Sequence, residues 1–205
     1  MTEQLQLDFD KIIKTLNISK KEIDLKRNYL EKFIRSGFPN RKEENWKFLD
    51  ISQIIKNNIS DLSFFNDYSI PNKINPSDFV DGLEHNKIIF INGRIEKIDF
   101  VYEDQNKIQI SDKIEKKITF DNENSLINLN NAFTNKVFKV LVKKNYSLKK
   151  PLIIYHSTNE RIKSKNINLR LDFELEENST LRLVDFFTDS SDKNFMNIIY
   201  NFDLK

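Results

Sequence analysis

The chain of 205 residues carries 33 basic and 31 acidic side chains and no cysteine, and 39% of its residues are hydrophobic. The near balance of charge gives no overall field favouring nucleic acid or an anionic membrane, and the lack of cysteine excludes disulfides, thiolate nucleophiles and cysteine-based metal sites within the chain. The hydrophobic content predicts a folded protein, and with no signal-peptide or membrane-spanning run we expect a cytoplasmic location.

The first third of the chain has the hydrophobic periodicity of helices. Apolar residues recur at helical spacing from Phe9 to Leu16, and Ser19 with Glu22 forms a capping-box pattern in front of a second apolar stripe. Gly37 follows that stripe as the expected end of a helix. We therefore predict an N-terminal helical domain over residues 1–82, whose last part, residues 62–81, has the composition of a linker or loop.

A hairpin signal follows at residues 87–98. Two short apolar runs flank Asn92 and Gly93, and this dipeptide supplies the positive φ angles of a two-residue type I′ turn. We assign residues 83–125 to this β-hairpin and a connecting segment.

The remainder of the chain has the pattern of strands. In residues 167–175 apolar and polar side chains alternate strictly, which is the period of a strand with two different faces. Strands separated by polar turns, with no helical pattern between them, fit either a sandwich or a solenoid of stacked coils, and periodicity alone does not choose between the two. The predicted strands are residues 137–142, 152–155, 167–175, 181–187 and 196–204.

Residues 35–48 gather scarce residue types, since they hold one of the three glycines, one of the four prolines and the single tryptophan. Their sequence, RSGFPNRKEENWKF, resembles a block near the N-terminus of SufD, a subunit of the SufBCD iron-sulfur cluster assembly scaffold and a member of the SufB/SufD family. Two further blocks resemble that family in the same order: IIFINGR at residues 88–94, and residues 129–142 followed by KPLI at residues 150–153. The residues that carry the resemblance are Arg35, Gly37, Pro39, Arg41, Glu43, Glu44, Trp46, Asn92, Gly93, Arg94 and Pro151.

The resemblance implies an α+β fold in which a small N-terminal helical domain leads into the first coils of a right-handed parallel β-helix over residues 126–205. It also implies a non-enzymatic cytoplasmic scaffold that pairs with a SufB-like paralogue and a SufC-like ATPase. We expect no catalytic, cofactor or metal residue in this chain, and we expect an iron-sulfur cluster only on the assembled complex. Members of the family continue into more β-helix and a C-terminal helical segment that contacts the ATPase, so the β-helix ending at Lys205 is expected to be incomplete.

A structural role is the expected one for the residues of this motif. Gly37 would end a helix, Pro39 would form a turn, and Trp46 would be a buried anchor whose truncation costs about 3–5 kcal/mol. Arg41 would pair with Glu43 or Glu44, which contributes about 0–1 kcal/mol when exposed.

Three alternatives rest on other features. Residues 135–170, the basic strip, hold ten Lys or Arg against the single acid Glu160, with Phe138, Tyr146 and Tyr155 interleaved, a pattern also found in nucleic-acid or polyanion-binding β proteins. We favour solvated strand faces as its explanation, and expect neither nucleic acid nor membrane as a partner. A carbohydrate-type β-solenoid is the second alternative. The third, a hydrolase or metal site, would combine His156 and Ser157 with Asp172 and Glu174, a spacing that encodes no convergent geometry.

Overall fold

The computed structural model describes residues 2–59, 61–64, 79–113, 124–134, 136–159, 162–188 and 193–205. This part of the chain contains four α-helices, one 3-10 helix and eight β-strands. The helices are α1 (Thr2–Thr15), α2 (Lys20–Ser36), the 3-10 helix (Glu44–Trp46), α3 (Ile51–Asn58) and α4 (Ser125–Phe133). The strands are β1 (Asn86–Ile91), β2 (Arg94–Asp99), β3 (Ile108–Lys113), β4 (Val137–Val142), β5 (Leu152–Ser157), β6 (Asn166–Leu175), β7 (Leu183–Phe187) and β8 (Phe195–Leu204).

Both ends of α2 form as the sequence predicts. The Glu22 carboxylate accepts a hydrogen bond from the Ser19 backbone N–H at 2.7 Å, and the Ser19 hydroxyl accepts one from the Glu22 N–H at 3.3 Å. These reciprocal bonds satisfy N–H groups that have no partner inside the helix. Gly37 ends α2 with φ at +72°, and its N–H donates to the Phe33 carbonyl at 2.7 Å. The capping box and the glycine stop are confirmed.

The helices share one hydrophobic core, to which α4 contributes although no helix was predicted there. α4 packs against α2, and Leu129, Ala132 and Phe133 are buried with the apolar faces of α1 and α2. The C-terminal end of α4 is bonded to α2, because the buried Lys26 ammonium donates to the carbonyls of Asn131 at 3.2 Å and Thr134 at 2.6 Å. This helix therefore depends on tertiary contacts more than on its own sequence pattern.

The strands form two four-stranded sheets. Sheet one has the order β2-β1-β5-β7, and sheet two has the order β3-β4-β6-β8. In each sheet the first pair is antiparallel, namely β1 with β2 and β3 with β4, and the other pairs are parallel. Along the chain, β4 to β8 alternate between the two sheets.

The predicted right-handed parallel β-helix is wrong for this structure. The described residues form a mixed α/β arrangement with two mixed four-stranded sheets, and each sheet has an antiparallel strand at one edge. The alternation of side chains identified the strands and their faces, but it carries no information on how strands are ordered into sheets. It also missed β3, which pairs with β4, and the α4 helix inside the region assigned to β structure.

The hairpin and the individual strands were predicted correctly. Asn92 and Gly93 have φ angles of +55° and +81°, and Ile91 lies opposite Arg94, as a two-residue turn requires. The five predicted strands correspond to β4 through β8. Within the predicted linker, residues 65–78 lie outside the described residues, and the domain boundaries at residues 82 and 125 stay predictions.

A second hydrophobic core lies between the two sheets. The inward side chains of β6, from Ile167 to Phe173, are at most 2% exposed and pack with inward residues of β1, β4 and β5. The opposite face of β6 is polar, yet Asn168, Arg170 and Asp172 on it are also buried. The Arg170 guanidinium satisfies Asp172 through hydrogen bonds of 2.9 and 3.1 Å. β6 is thus buried on both faces, with one face apolar and one hydrogen-bonded.

Candidate functional site

The motif at residues 35–46 forms the connection between α2 and α3. Pro39 is buried, and its carbonyl accepts a hydrogen bond from the Ile51 N–H at 3.3 Å, at the start of α3. Between them, Phe38 is 5% exposed and meets Phe33 edge-on at a centroid distance of 5.1 Å and Phe195 at 5.7 Å. Phe38 therefore anchors this connection to the helical core and to β8.

Trp46 does not fill the anchoring role that the sequence suggested. It lies in the 3-10 helix and is partly exposed, and it is absent from the described hydrophobic cores. The following Phe48 is 86% exposed. The sequence indicates Trp46 as the anchor because tryptophan is large and occurs once, but the buried aromatic residue of this motif is Phe38.

The charged residues of the motif lie on the surface. Arg35 pairs with Glu31 at 3.9 Å along α2. The Glu43 carboxylate accepts hydrogen bonds from the backbone and side chain of Asn40, at 3.2 and 3.4 Å. Within the part of the chain that the structure describes, Arg41 forms no ion pair with Glu43 or Glu44, so the proposed bracing pair is wrong. Glu43 stabilises the turn through backbone capping instead.

The second motif, the β1–β2 turn, is tied to the end of β5. The Asn92 side chain donates to the Asn159 side chain at 3.0 Å and accepts from the Asn159 N–H at 3.1 Å. The Asn92 N–H also donates to the Ser157 carbonyl at 2.9 Å. Arg94 lies beyond the turn, 3.7 Å from Glu96. The structure thus brings this hairpin together with the end of β5.

Pro151 lies beside a buried carboxylate that sequence reasoning missed. The Pro151 carbonyl accepts from the Asn86 N–H at 2.9 Å, while the Asn86 side chain donates to Glu103 at 2.7 Å. Burial alone would raise the pKa of Glu103, but hydrogen bonds from Asn86, Tyr146 and the backbone of Lys149 and Lys150 lower it below its ordinary 4.5. Glu103 thus holds the start of β1 against the segment before β5.

A second polar cluster joins the two sheets through His156. Its Nε2 lies 2.8 Å from an Asp185 carboxylate oxygen of β7 and 2.9 Å from the Tyr200 hydroxyl of β8. The Tyr200 hydroxyl donates to Asp185 at 2.7 Å, and burial together with the Asp185 charge raises the pKa of Tyr200. The Nδ1 atom of His156 is buried without a hydrogen-bond partner. A proton on Nε2 can be donated to the Asp185 carboxylate or to the Tyr200 hydroxyl, whereas a proton on the buried Nδ1 would have no acceptor.

The partners that sequence spacing offered to His156 are engaged elsewhere. Asp172 is bonded to Arg170, and hydrogen bonds from Lys139 and Lys205 lower the pKa of Glu174 to about 2. The structure therefore does not bring His156 together with these two acids. His156 follows Leu152 and Ile154 on the inward face of β5, and that alternation was the available signal that it is buried and needs polar partners.

The outer edges of β7 and β8 form one end of the two sheets. The Tyr200–Asp185 hydrogen bond shows that these strands are neighbours across the core. His156 is sandwiched between Phe90 and Phe187, at centroid distances of 5.4 and 4.9 Å, and in sheet two Phe202 stacks on a core ring, Phe173, at 5.1 Å. Phe187 and Phe202 are 54% and 50% exposed. We call this end, with its edge strands and two exposed rings, the open end.

The basic strip is largely neutralised by neighbouring acids. Asn135, Glu160 and Arg161 lie outside the described residues. Of its nine described basic side chains, six contact a carboxylate. These pairs are Lys136–Asp112, Lys139–Glu174, Lys143–Glu176, Lys149–Asp104, Lys150–Glu84 and Arg170–Asp172.

Two of the three aromatic residues interleaved in the strip are unavailable for stacking on bases. Tyr146 is 7% exposed and Tyr155 is fully buried. Paired cations and buried rings give this surface little capacity for phosphate contact or base stacking. The geometry therefore does not favour the nucleic-acid alternative.

No group of three or more His, Asp or Glu side chains suited to a metal ion occurs among the residues with described positions. No helix within the described ranges is long and apolar enough to cross a membrane.

Comparison with known proteins gives no identification. No known family model matches the sequence, and no curated protein matches it.

Proposed function

We propose that this chain is a non-enzymatic scaffold subunit in iron-sulfur cluster assembly, similar to SufD and located in the cytoplasm. It would pair with a SufB-like paralogue and act with a SufC-like ATPase, and the cluster would be carried by the assembled complex. The resemblance of three sequence blocks suggests this identity, and the open end is the structural observation that supports an architectural role.

The open end has the chemistry of a surface for strand addition. β7 pairs only with β5, and β8 only with β6, in the part of the chain that is described. Their outer backbone N–H and C=O groups are therefore available to another strand, which is a recurring mode of protein recognition. A partner with strands on both sheets would also cover the exposed faces of Phe187 and Phe202.

The roles of the motif residues agree with a scaffold more than with a catalyst. Gly37 and Pro39 shape the connection between helices, Asn92 and Gly93 form a turn, and Pro151 supports the start of β1. None of these positions needs chemical reactivity. Their contribution is to fix the helices and the hairpin relative to the sheets.

Co-purification tests the proposal. The chain is co-expressed with the SufB and SufC subunits of a known assembly system, and the tagged chain is expected to retain both. Phe202→Lys and Leu204→Lys, which place charges on the exposed side chains of β8, should abolish retention. Val101→Lys is the matched control, because Val101 is 76% exposed in the turn after β2, far from the open end in sheet order.

Two results would contradict the proposal in different ways. Failure of the unaltered chain to retain either subunit would refute the scaffold function. Retention that is equal in the β8 variants and in Val101→Lys would refute the open end as the contact surface while leaving the function standing.

A further inference from the structure

The turn between β1 and β2 contains the only Asn–Gly dipeptide in the sequence, Asn92–Gly93. Asparagine followed by glycine is the pair that loses its side-chain amide most readily, because glycine has no side chain to shield its backbone nitrogen. The Gly93 nitrogen gives up its proton to a base and attacks the Cγ atom of Asn92. The new N–Cγ bond replaces the Cγ–Nδ2 bond, and Nδ2 takes a proton from solvent and leaves as ammonia. Water then opens the resulting succinimide ring at either carbonyl, which gives aspartate or isoaspartate.

The folded chain holds the reactive amide of Asn92 against Asn159. The Asn92 Nδ2 atom donates to the Asn159 Oδ1 atom at 3.0 Å, and the Asn92 Oδ1 atom accepts from the Asn159 N–H at 3.1 Å. Asn92 is only 6% exposed, and its N–H donates to the Ser157 carbonyl at 2.9 Å. The oxygen and the nitrogen of the amide are therefore both bonded to the segment that follows β5.

Ring closure requires movement at this turn. The Asn92 side chain must rotate to bring its Cγ atom to the Gly93 nitrogen, and both hydrogen bonds to Asn159 oppose that rotation. The backbone is also constrained, because Asn92 and Gly93 have φ angles of +55° and +81° and the turn is closed by the pairing of Ile91 with Arg94. The rate of the reaction should therefore depend on how often this turn opens.

We propose that Asn92 is a conditional deamidation site, protected in the folded protein by Asn159 and reactive when the hairpin turn opens. The reaction removes its own protection. An aspartate side chain has no Nδ2–H to donate to Asn159, and isoaspartate adds a backbone atom to the two-residue turn, which disrupts the pairing of Ile91 with Arg94. One reaction thus loosens the hairpin from the end of β5 irreversibly. This chemistry goes beyond the scaffold function and does not depend on it.

Peptide mapping by mass spectrometry of the full chain, incubated in mildly alkaline buffer, tests the proposal. It measures the conversion of the Asn92 amide to a carboxyl group and separates the aspartate from the isoaspartate product. The folded parent should react at Asn92 at least tenfold more slowly than the same chain in concentrated urea, because its two hydrogen bonds to Asn159 must open first.

Variants of the partner residue show whether Asn159 provides the protection. Asn159→Ala should accelerate the reaction of the folded chain about tenfold to a hundredfold, because Asn92 loses the acceptor that fixes its amide. Asn159→Asp keeps an acceptor for Nδ2 and the backbone N–H, so it should react at nearly the parent rate. Asn57→Ala is the matched control, since it removes an asparagine side chain that accepts from Gln53 at 2.7 Å on α3, and it should leave the rate unchanged.

Four results would overturn the proposal. Two come from the parent alone and stand even if Asn159→Ala does not fold: equal rates in buffer and in urea, or no reaction at Asn92 in urea. The other two are an Asn159→Ala chain that reacts at the parent rate, and equal acceleration by Asn159→Ala and Asn57→Ala.

Discussion

The substitution Glu103→Gln probes the buried carboxylate that joins β1 to the segment before β5. One Glu103 oxygen accepts from the Asn86 side chain at 2.7 Å and the Lys150 N–H at 3.0 Å. The other accepts from the Tyr146 hydroxyl at 2.7 Å and the Lys149 N–H at 3.1 Å. Glutamine has nearly the same shape, so the change removes the charge and one acceptor while leaving the packing intact.

The expected loss in the free energy of unfolding is about 2–4 kcal/mol. Glutamine can keep one pair of these hydrogen bonds, but its amide group then faces the two donors of the other pair. The Tyr146 hydroxyl can rotate and become an acceptor, whereas the Lys149 N–H cannot. One orphaned donor, at about 1–3 kcal/mol, and the loss of charge assistance in the remaining bonds give this estimate.

The assay is urea denaturation of the parent and the variant between pH 7 and pH 3. The folded-state pKa of Glu103 is lowered, so its contribution to stability is complete above the unfolded-state value of about 4.5 and is lost as the pH falls through the folded-state value. The parent should therefore approach the variant in stability as the solution is acidified, and the variant should show the flatter pH dependence.

Asp104→Asn is the matched control for this experiment. The Asp104 side chain is 56% exposed and pairs with Lys149 at 2.7 Å on the surface, so its loss should change stability little. A Glu103→Gln protein as stable as Asp104→Asn at pH 7, or one that retains the full acid sensitivity of the parent, would refute the assignment of Glu103 as the stabilising carboxylate.

Three further predictions concern other parts of the structure, and urea denaturation tests each of them. Phe38→Ala should cost about 3–5 kcal/mol and Trp46→Ala clearly less, and the reverse order would restore tryptophan as the anchor. Burial lowers the pKa of Lys26 to about 8 from its ordinary value of 10.5. Between these two pH values the unfolded chain binds more protons than the folded chain, so the free energy of unfolding should rise with pH. Lys26→Met should remove this rise, and an unchanged slope in the variant would contradict the assignment. Arg170→Met should lower the free energy of unfolding by about 3–5 kcal/mol, because it leaves the Asp172 carboxylate buried without its ion-pair partner. The double variant Arg170→Met, Asp172→Leu should recover most of that loss, and a double variant as unstable as Arg170→Met would contradict this explanation.

Features governed by neighbouring residues were predictable from the sequence. The capping box at Ser19, the stop at Gly37 and the turn at Asn92–Gly93 each depend on hydrogen bonds or φ angles within a few residues, and all are confirmed. The strands from β4 to β8 were also predictable, because an alternation of period two is a local property of the sequence.

Elements that form through distant contacts were missed. α4 has the sequence SLINLNNAF, which contains three asparagines and no strong amphipathic stripe. It is stabilised by Lys26 of α2 and by the Asn130 side chain, which donates to the Leu169 and Asn197 carbonyls of β6 and β8. These partners lie 39 to 105 residues away along the chain, so no local sequence pattern predicts the contacts.

The polar clusters show the same limit for functional residues. His156 meets Asp185 and Tyr200, which lie 29 and 44 residues further along the chain on two different strands. The alternation on β5 and β8 does place His156 and Tyr200 on inward faces, so their burial could be inferred. The contact between His156 and Tyr200 could not be inferred, because it requires β5 and β8 to lie in opposite sheets. The alternation of side chains along either strand does not predict which sheet that strand joins.

The polar face of β6 shows why an alternation of polar residues does not by itself predict that they are exposed to solvent. Asn168, Arg170 and Asp172 would be assigned to solvent by their chemistry, yet each is less than 10% exposed. They are buried at acceptable energetic cost because each finds a partner: Asn168 accepts from the Asn197 side chain at 3.1 Å, and Arg170 and Asp172 satisfy one another. A strand whose polar residues can pair among themselves can therefore be covered on both faces. In this chain that allows sheet two to carry a hydrophobic core on one side and the helical layer on the other.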